Sequence, residues 1–272
     1  MNLYKKEETV TIHSQIFAFL EIWEADHVLT LTLNRAEKKN ALHPQMVNEI
    51  AYAMHYAHFE KNIWAVVVQA KGDIFCAGAD LKAMAGFIEE NNSTIPQPDR
   101  EVLIGELFNN IHKPVIAKVT GDVYAGGFFF LAGSHIVVAQ EGVKFGLPEV
   151  KRGLFPFQVM AALLKVMPAR KVLDWCIRGY NLSVQEAEKY GLVTQVSKKE
   201  DIDLVVEKII EELKQNSPMA IKYGLEAFDK IHSSATQHKY LYEMLMKTIG
   251  TMDGQEGLKA FREKRKPNWT GE

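Results

Sequence analysis

Cysteine is scarce. Cys76 and Cys176 are the two in 272 residues, far apart, with no CxxC pair and no Cys/His cluster beside them. A disulfide framework and a zinc site are both excluded on that count, and no metal site is expected. Long apolar runs are absent too. Nothing approaches the roughly 20 residues that a membrane-spanning helix needs. The opening stretch, Met1-Asn2-Leu3-Tyr4-Lys5-Lys6-Glu7-Glu8, lacks the apolar centre of a signal peptide. A cytoplasmic protein with no membrane partner is the expectation. Charge of one sign is lacking as well. The net charge is −2, and no basic, aromatic-interleaved stripe occurs, so no nucleic-acid partner is expected. The nine histidines are scattered, His112 before Lys113-Pro114 and His238 near the C-terminus, and read as solvated or core-edge side chains. Internal repeats and low-complexity tracts are missing.

What is present is ordinary globular material, 47% hydrophobic and 24% charged, enough for a sizeable core in one large domain or a core plus a small appendage. The first two thirds alternate between strand and helix patterns. Residues 27–33 read as a β-branched strand, and 64–68, 115–119 and 136–139 as further strands. Pro44 opens a helix to about residue 60, because proline is tolerated at a first helical position. Asp80 is placed to cap a helix after it. Residues 128–132 read as a buried helix. This alternation implies an α/β core with much parallel pairing. The last third changes character. Ile202, Val205, Val206, Ile209, Ile210 and Leu213 form a helical stripe over 201–213. Further helices are expected over 218–231, 235–249 and 255–264. Such apolar-faced helices must cover the core, another subunit, or both. The segment 264–268 reads as solvated and charged, and the breaker-rich 91–98 as a mobile loop.

One acid stands out. Glu149 follows a proline in Phe145-Gly146-Leu147-Pro148-Glu149-Val150-Lys151-Arg152-Gly153, on a turn between apolar segments. Two glycine-bearing turns lie upstream, Cys76-Ala77-Gly78-Ala79-Asp80 and Tyr124-Ala125-Gly126-Gly127. Each can bring bare backbone N–H groups close to a ligand. One carboxylate and two backbone donor sites suffice to move a proton beside a carbonyl.

These stretches, in this order, resemble the crotonase superfamily, the enoyl-CoA hydratase/isomerase family. The matching segments are Leu33-Asn34-Arg35-Ala36-Glu37-Lys38-Lys39-Asn40-Ala41-Leu42, Phe75 through Lys82, Gly121 through Gly127, and Phe145 through Gly153. Leu182-Ser183 to Ala187, Tyr190-Gly191-Leu192-Val193 and Gly257 through Arg265 complete the match. The resemblance implies a spiral of repeated ββα units over 1–197 and a helical trimerisation region over 198–272, assembled as a homotrimer or hexamer. It implies an acyl-CoA thioester substrate, coenzyme A entering as part of that substrate, and no separate cofactor. By the same resemblance Ala79 and Gly126 supply the N–H groups that hold the thioester oxygen. Lys38, Ala41, Leu42 and Ala77 border the coenzyme A moiety and Lys82 lies near its phosphates. Phe261 and Lys264 close over the ligand, from this or a neighbouring subunit.

One position departs from the resemblance. Hydratases of the family carry two glutamates, one at the place of Glu149 and one on the helix after the Gly-Gly turn. Here the second place is Phe129, within Phe128-Phe129-Phe130. A phenyl ring moves no proton, so the two-acid scheme fails. A lone carboxylate in a dry site can instead shift a double bond from 3-enoyl to 2-enoyl, and Glu149 is expected to be that shuttle. Hydration by Glu149 alone, with Asp122 or Glu141 assisting, remains a rival. So do decarboxylation, thioester hydrolysis and a non-catalytic acyl-CoA-binding scaffold.

Overall fold

The computed structural model describes residues 3–87, 89–108, 111–232, 242–243 and 245–268. Its core is a spiral whose strands divide between two sheets. The strands of the first sheet are β1 (Leu20–Ala25), β2 (Val28–Leu33), β3 (Ala65–Ala70), β5 (Val115–Val119), β7 (Ile136–Gln140) and β10 (Gln195–Ser197). Among the described residues they form one sheet in the order β1-β2-β3-β5-β7-β10, parallel apart from the antiparallel β1–β2 hairpin. The short strands β4 (Ile74–Cys76), β6 (Asp122–Tyr124), β8 (Lys144–Gly146) and β9 (Asn181–Ser183) form a second sheet in that order. There β4, β6 and β8 run parallel and β9 antiparallel.

Strand periodicity explains the layering. Val66 and Val68 face the main core, together with Leu29, Leu31, Val115, Ala117, Val137 and Ala139. Val67 lies between them in sequence and faces the other way, with Val28, Ile116 and Val138. A strand buried on both faces reads as a continuous apolar run, which is how Val66-Val67-Val68 is written. The main core is closed by helix α2 (Pro44–Phe59), which follows the short N-terminal α1 (Lys6–Thr9). Pro44 stands at its first turn, and the His43 ring accepts a hydrogen bond from the Gln45 N–H, 3.1 Å. The second face receives α8 (Ile202–Lys214) through Ile202 and Val206, so the expected stripe is used on the sheet itself.

Between these lie α3 (Leu81–Met84), α4 (Phe128–Gly133), α5 (Phe157–Leu163), α6 (Ala169–Arg178) and α7 (Val184–Lys189). Helices α9 (Pro218–His232) and α10 (Met252–Glu263) are described after α8. His238 lies outside the described residues, as does much of the helix expected over 235–249, of which 242–243 and 245–249 are helical.

The short strands were not legible, because three residues carry too little periodicity to stand out. The loop 91–98 is irregular, yet it is tied to the core. Ile95 is buried, the Thr94 N–H donates to the Ile16 carbonyl at 3.0 Å, and the Pro96 carbonyl accepts from Tyr4 and Asn48. The tail is solvated and charged as expected, with Lys264, Arg265 and Lys266 exposed, and Arg265 pairs with Glu256 and Glu263 of α10, at 2.8 and 2.6 Å.

Candidate active site

The second sheet gathers the site. Parallel neighbours β4, β6 and β8 all point the same way, so their C-terminal ends lie along one edge. Ala79 follows the end of β4 by three residues, Gly126 follows β6 by two, and Glu149 follows β8 by three. Adjacent strands stand about 4.8 Å apart. Three turns far apart in sequence are thereby set side by side.

The two donor turns interlock. A Cβ built on Gly78 would come to 3.0 Å of the Gly126 nitrogen, and one built on Gly126 would stand 3.6 Å from the Ala79 nitrogen. Gly78 has φ +89°, a conformation that side chains resist. Leu42 bridges the first turn, donating its N–H to the Gly78 carbonyl at 2.8 Å and accepting from Asp80 at 3.2 Å. These bonds pass on either side of Ala79. Neither the Ala79 nor the Gly126 N–H donates to a partner among the described residues, and Ala79 is exposed. Two free donors on converging backbones can receive one oxygen.

Glu149 opens a 3₁₀ turn, Glu149–Arg152, that ends at Gly153 with φ 72°. Its Oε2 is buried and has no hydrogen-bond partner among the described residues. Burial pushes the carboxyl up to about 7, offset only in part by its own backbone N–H and by Arg152. The turn is gripped from two sides. Gly179, at the end of α6, lets Val150 and Lys151 approach, and Gly257 of α10 lets the Arg152–Gly153 backbone approach. The Arg152 guanidinium lies over the Phe261 ring, 4.3 Å from its centroid. Arg152, Gly179 and Gly257 were not anticipated as supports of this turn. Gly179 and Gly257 follow or interrupt helical patterns, the only local hint of close packing.

The phenylalanine triplet divides its work. Phe128 meets Phe145 and Trp175, and Phe130 meets Phe75 and Phe108, in tilted and edge-to-face contacts. Both are fully buried, whereas Phe129 keeps 5% of its surface. Asp122 and Glu141 do not assist Glu149. Each lies at the opposite end of these strands, at the start of β6 and before β8. Asp122 is also engaged by the Tyr124 hydroxyl and the Lys144 N–H, both at 2.9 Å.

Of the residues assigned to coenzyme A, Lys38, Ala41, Leu42 and Ala77 are brought together with the donor turn. The Ala77 N–H donates to the Lys39 carbonyl at 3.0 Å. Lys38 and Lys82 are both exposed on this side. Phe261 and Lys264 are not brought to that group within one chain: Phe261 packs on Arg152, and Lys264 ends α10 in a left-handed conformation. Arg35 belongs to the family-matching segment but has no site role in the sequence reading. It is buried and ties Ala41, Asp80 and Glu89 together.

Comparison with known proteins identifies the family. A family profile for enoyl-CoA hydratase/isomerase matches residues 24–272. A mevalonyl-coenzyme A hydratase of Aspergillus fumigatus is 30% identical over 268 residues, covering 94% of this chain and 96% of that protein. A probable mitochondrial enoyl-CoA hydratase of Dictyostelium discoideum is 31% identical over 244 residues, covering 88% and 86%. The crystal structure of an enoyl-CoA hydratase/isomerase from Pseudoalteromonas atlantica superposes with a TM-score of 0.82 at 25% identity, covering 93% of this chain and all of that one. With its ββα spiral, its paired donor turns and a match running almost from end to end, the chain belongs to the enoyl-CoA hydratase/isomerase family of acyl-CoA enzymes.

Proposed function

We propose that this enzyme shifts the double bond of a 3-enoyl-CoA to the 2-enoyl position, with Glu149 as its single proton shuttle. The observation that carries this reading is a buried, unpartnered carboxylate oxygen on Glu149, with Phe129 where a second acid would stand. A carboxyl with a pKa of about 7 is ionised in a large fraction at neutral pH and is a stronger base than an exposed glutamate. It takes the proton from the carbon between the double bond and the thioester. Negative charge passes to the thioester oxygen, where the Ala79 and Gly126 N–H groups receive it. Each such donor contributes about 3–4 kcal/mol in a dry site. The same carboxyl returns the proton two carbons further along. No water takes part, and the Phe129 ring favours keeping it out.

Lys38, Ala41, Leu42, Ala77 and Lys82 form the wall and charge for coenzyme A in this reading, which needs no separate cofactor. Phe261 and Lys264 serve a neighbouring subunit's ligand. Exposed Met219, Tyr223, Phe228 and Met252 on the C-terminal helices support assembly of a homotrimer or hexamer through residues 198–272.

Hydration by Glu149 alone is the second reading, favoured by the hydratase names of the relatives. The test is one preparation given 3-hexenoyl-CoA and crotonyl-CoA, with products identified and Glu149→Gln as control. Isomerisation well above hydration, abolished in the variant, is expected. Hydration in excess, or turnover retained by the variant, would overturn the reading.

A further inference from the structure

Arg35 lies 45 positions before Asp80, and its side chain is only 3% exposed. Its Nη1 donates to Asp80 Oδ2 at 2.7 Å and to the Ala41 carbonyl at 3.1 Å, and its Nη2 donates to Glu89 Oε2 at 2.8 Å. The Arg35 N–H is itself fixed by the Asn40 side chain at 2.9 Å, and the Phe19 ring backs the guanidinium at 5.2 Å. Asp80 divides its carboxylate. Oδ2 meets Arg35, while Oδ1 caps α3 by accepting from Lys82 and Ala83 at 3.0 and 3.2 Å. Asp80 is the residue after Ala79, and its N–H goes to Leu42. The peptide that presents the Ala79 donor is thus anchored on one side through Leu42 and on the other through the Asp80–Arg35 pair. Of the other two Arg35 bonds, one reaches Glu89 and one reaches Ala41, in the segment assigned to coenzyme A.

We propose that Arg35 is a positioning residue: through Asp80 and the Ala41 carbonyl it couples the coenzyme A wall to the aim of the Ala79 N–H. The proposal rests on the acyl-CoA oxyanion reading above, but not on whether the reaction is isomerisation or hydration. A buried planar fork holding three acceptors from three loops does what a single ammonium cannot, since Lys is a point charge. Burial raises Asp80 and the Arg35 and backbone hydrogen bonds outweigh it, so the carboxylate stays ionised and the tie holds across the working pH range.

The experiment binds a conjugated dienoyl-CoA, labelled with carbon-thirteen at the thioester carbonyl, to the full-length protein and records its carbonyl stretch by infrared difference. In the wild type, binding lowers the frequency. In Arg35→Lys and in Asp80→Asn, which retains a capping oxygen, that shift falls by at least half. Turnover falls about tenfold or more, as misplacement of a donor demands, while ligand Kd stays within about threefold. Circular dichroism and thermal midpoints establish that each variant is folded. If Arg35→Lys does not fold, Asp80→Asn decides alone. A wild-type carbonyl shift in folded variants, whatever happens to affinity, would reduce Arg35 to a structural tie and overturn the proposal. No shift in the wild type would remove the oxyanion reading and the proposal with it, a pattern distinct from the former.

Discussion

Gly257 of α10 lies against the backbone of Arg152: a Cβ there would run into the Arg152 carbonyl and come to 2.9 Å of the Gly153 nitrogen. The C-terminal helix is therefore seated directly on the turn that carries Glu149. In an exposed helix Gly→Ala would stabilise by about 1 kcal/mol. Here Gly257→Ala is expected to destabilise by about 2–3 kcal/mol through overpacking against backbone. Turnover should fall with it, since residues 149–153 must move. Urea midpoints and steady-state kinetics on one preparation check both.

Gly126→Ala separates folding from catalysis. The φ of Gly126 is not in the left-handed region, so alanine fits the backbone. Its methyl would meet Leu42 Cδ1 at 3.1 Å and stand 3.6 Å from the Ala79 nitrogen, inside the space between the two donors. Stability should change by less than about 1.5 kcal/mol. The turnover number should drop about 10²-fold: alanine keeps the N–H donor, but its methyl displaces the thioester oxygen from it.

Glu149→Gln should abolish turnover and yet strengthen the fold at alkaline pH. The carboxyl rises from an ordinary 4.5 to about 7 on folding. Its contribution to stability is full below pH 4.5, is lost as pH rises to about 7, and stays lost above. At about 1.4 kcal/mol per pH unit the deficit reaches about 3 kcal/mol at most. Denaturation of wild type and variant at low and high pH should show the variant's advantage growing through that window and level beyond it.

The pH dependence of the rate follows from the same group with the opposite preference. Proton abstraction requires the carboxylate, so kcat/KM for a 3-enoyl-CoA should fall about tenfold per pH unit below about 7 and vanish as Glu149 protonates. A rate that is flat from pH 5 to 7, on a scale of order one ordinary glutamate titration, would contradict a buried base.

Phe129→Glu tests the departure that shaped the functional reading. The ring is 5% exposed, so a glutamate there costs about 1–3 kcal/mol in stability. It also restores the second carboxyl. The ratio of crotonyl-CoA hydration to 3-enoyl-CoA isomerisation should rise in the variant, measured by product identification.

The sequence alone determined what depends on near neighbours in the chain. Asp80 caps α3 as its place before an apolar run implies, accepting from the Lys82 and Ala83 N–H groups, and Pro44 opens α2. The strand 115–119 and the buried helix at 128–132 were legible because apolar residues write their own periodicity. The two glycine turns and Glu149 were legible as chemistry. Their meeting was not. It depends on β4, β6 and β8 pairing in parallel, three short strands too brief to see, separated by whole turns of the spiral. The environment of Glu149 was also a tertiary decision, since α6 and α10 close on its turn at Gly179 and Gly257. So was the reach of Arg35 to Asp80 and Glu89, because charge attraction acts over distance in space and is blind to distance along the chain.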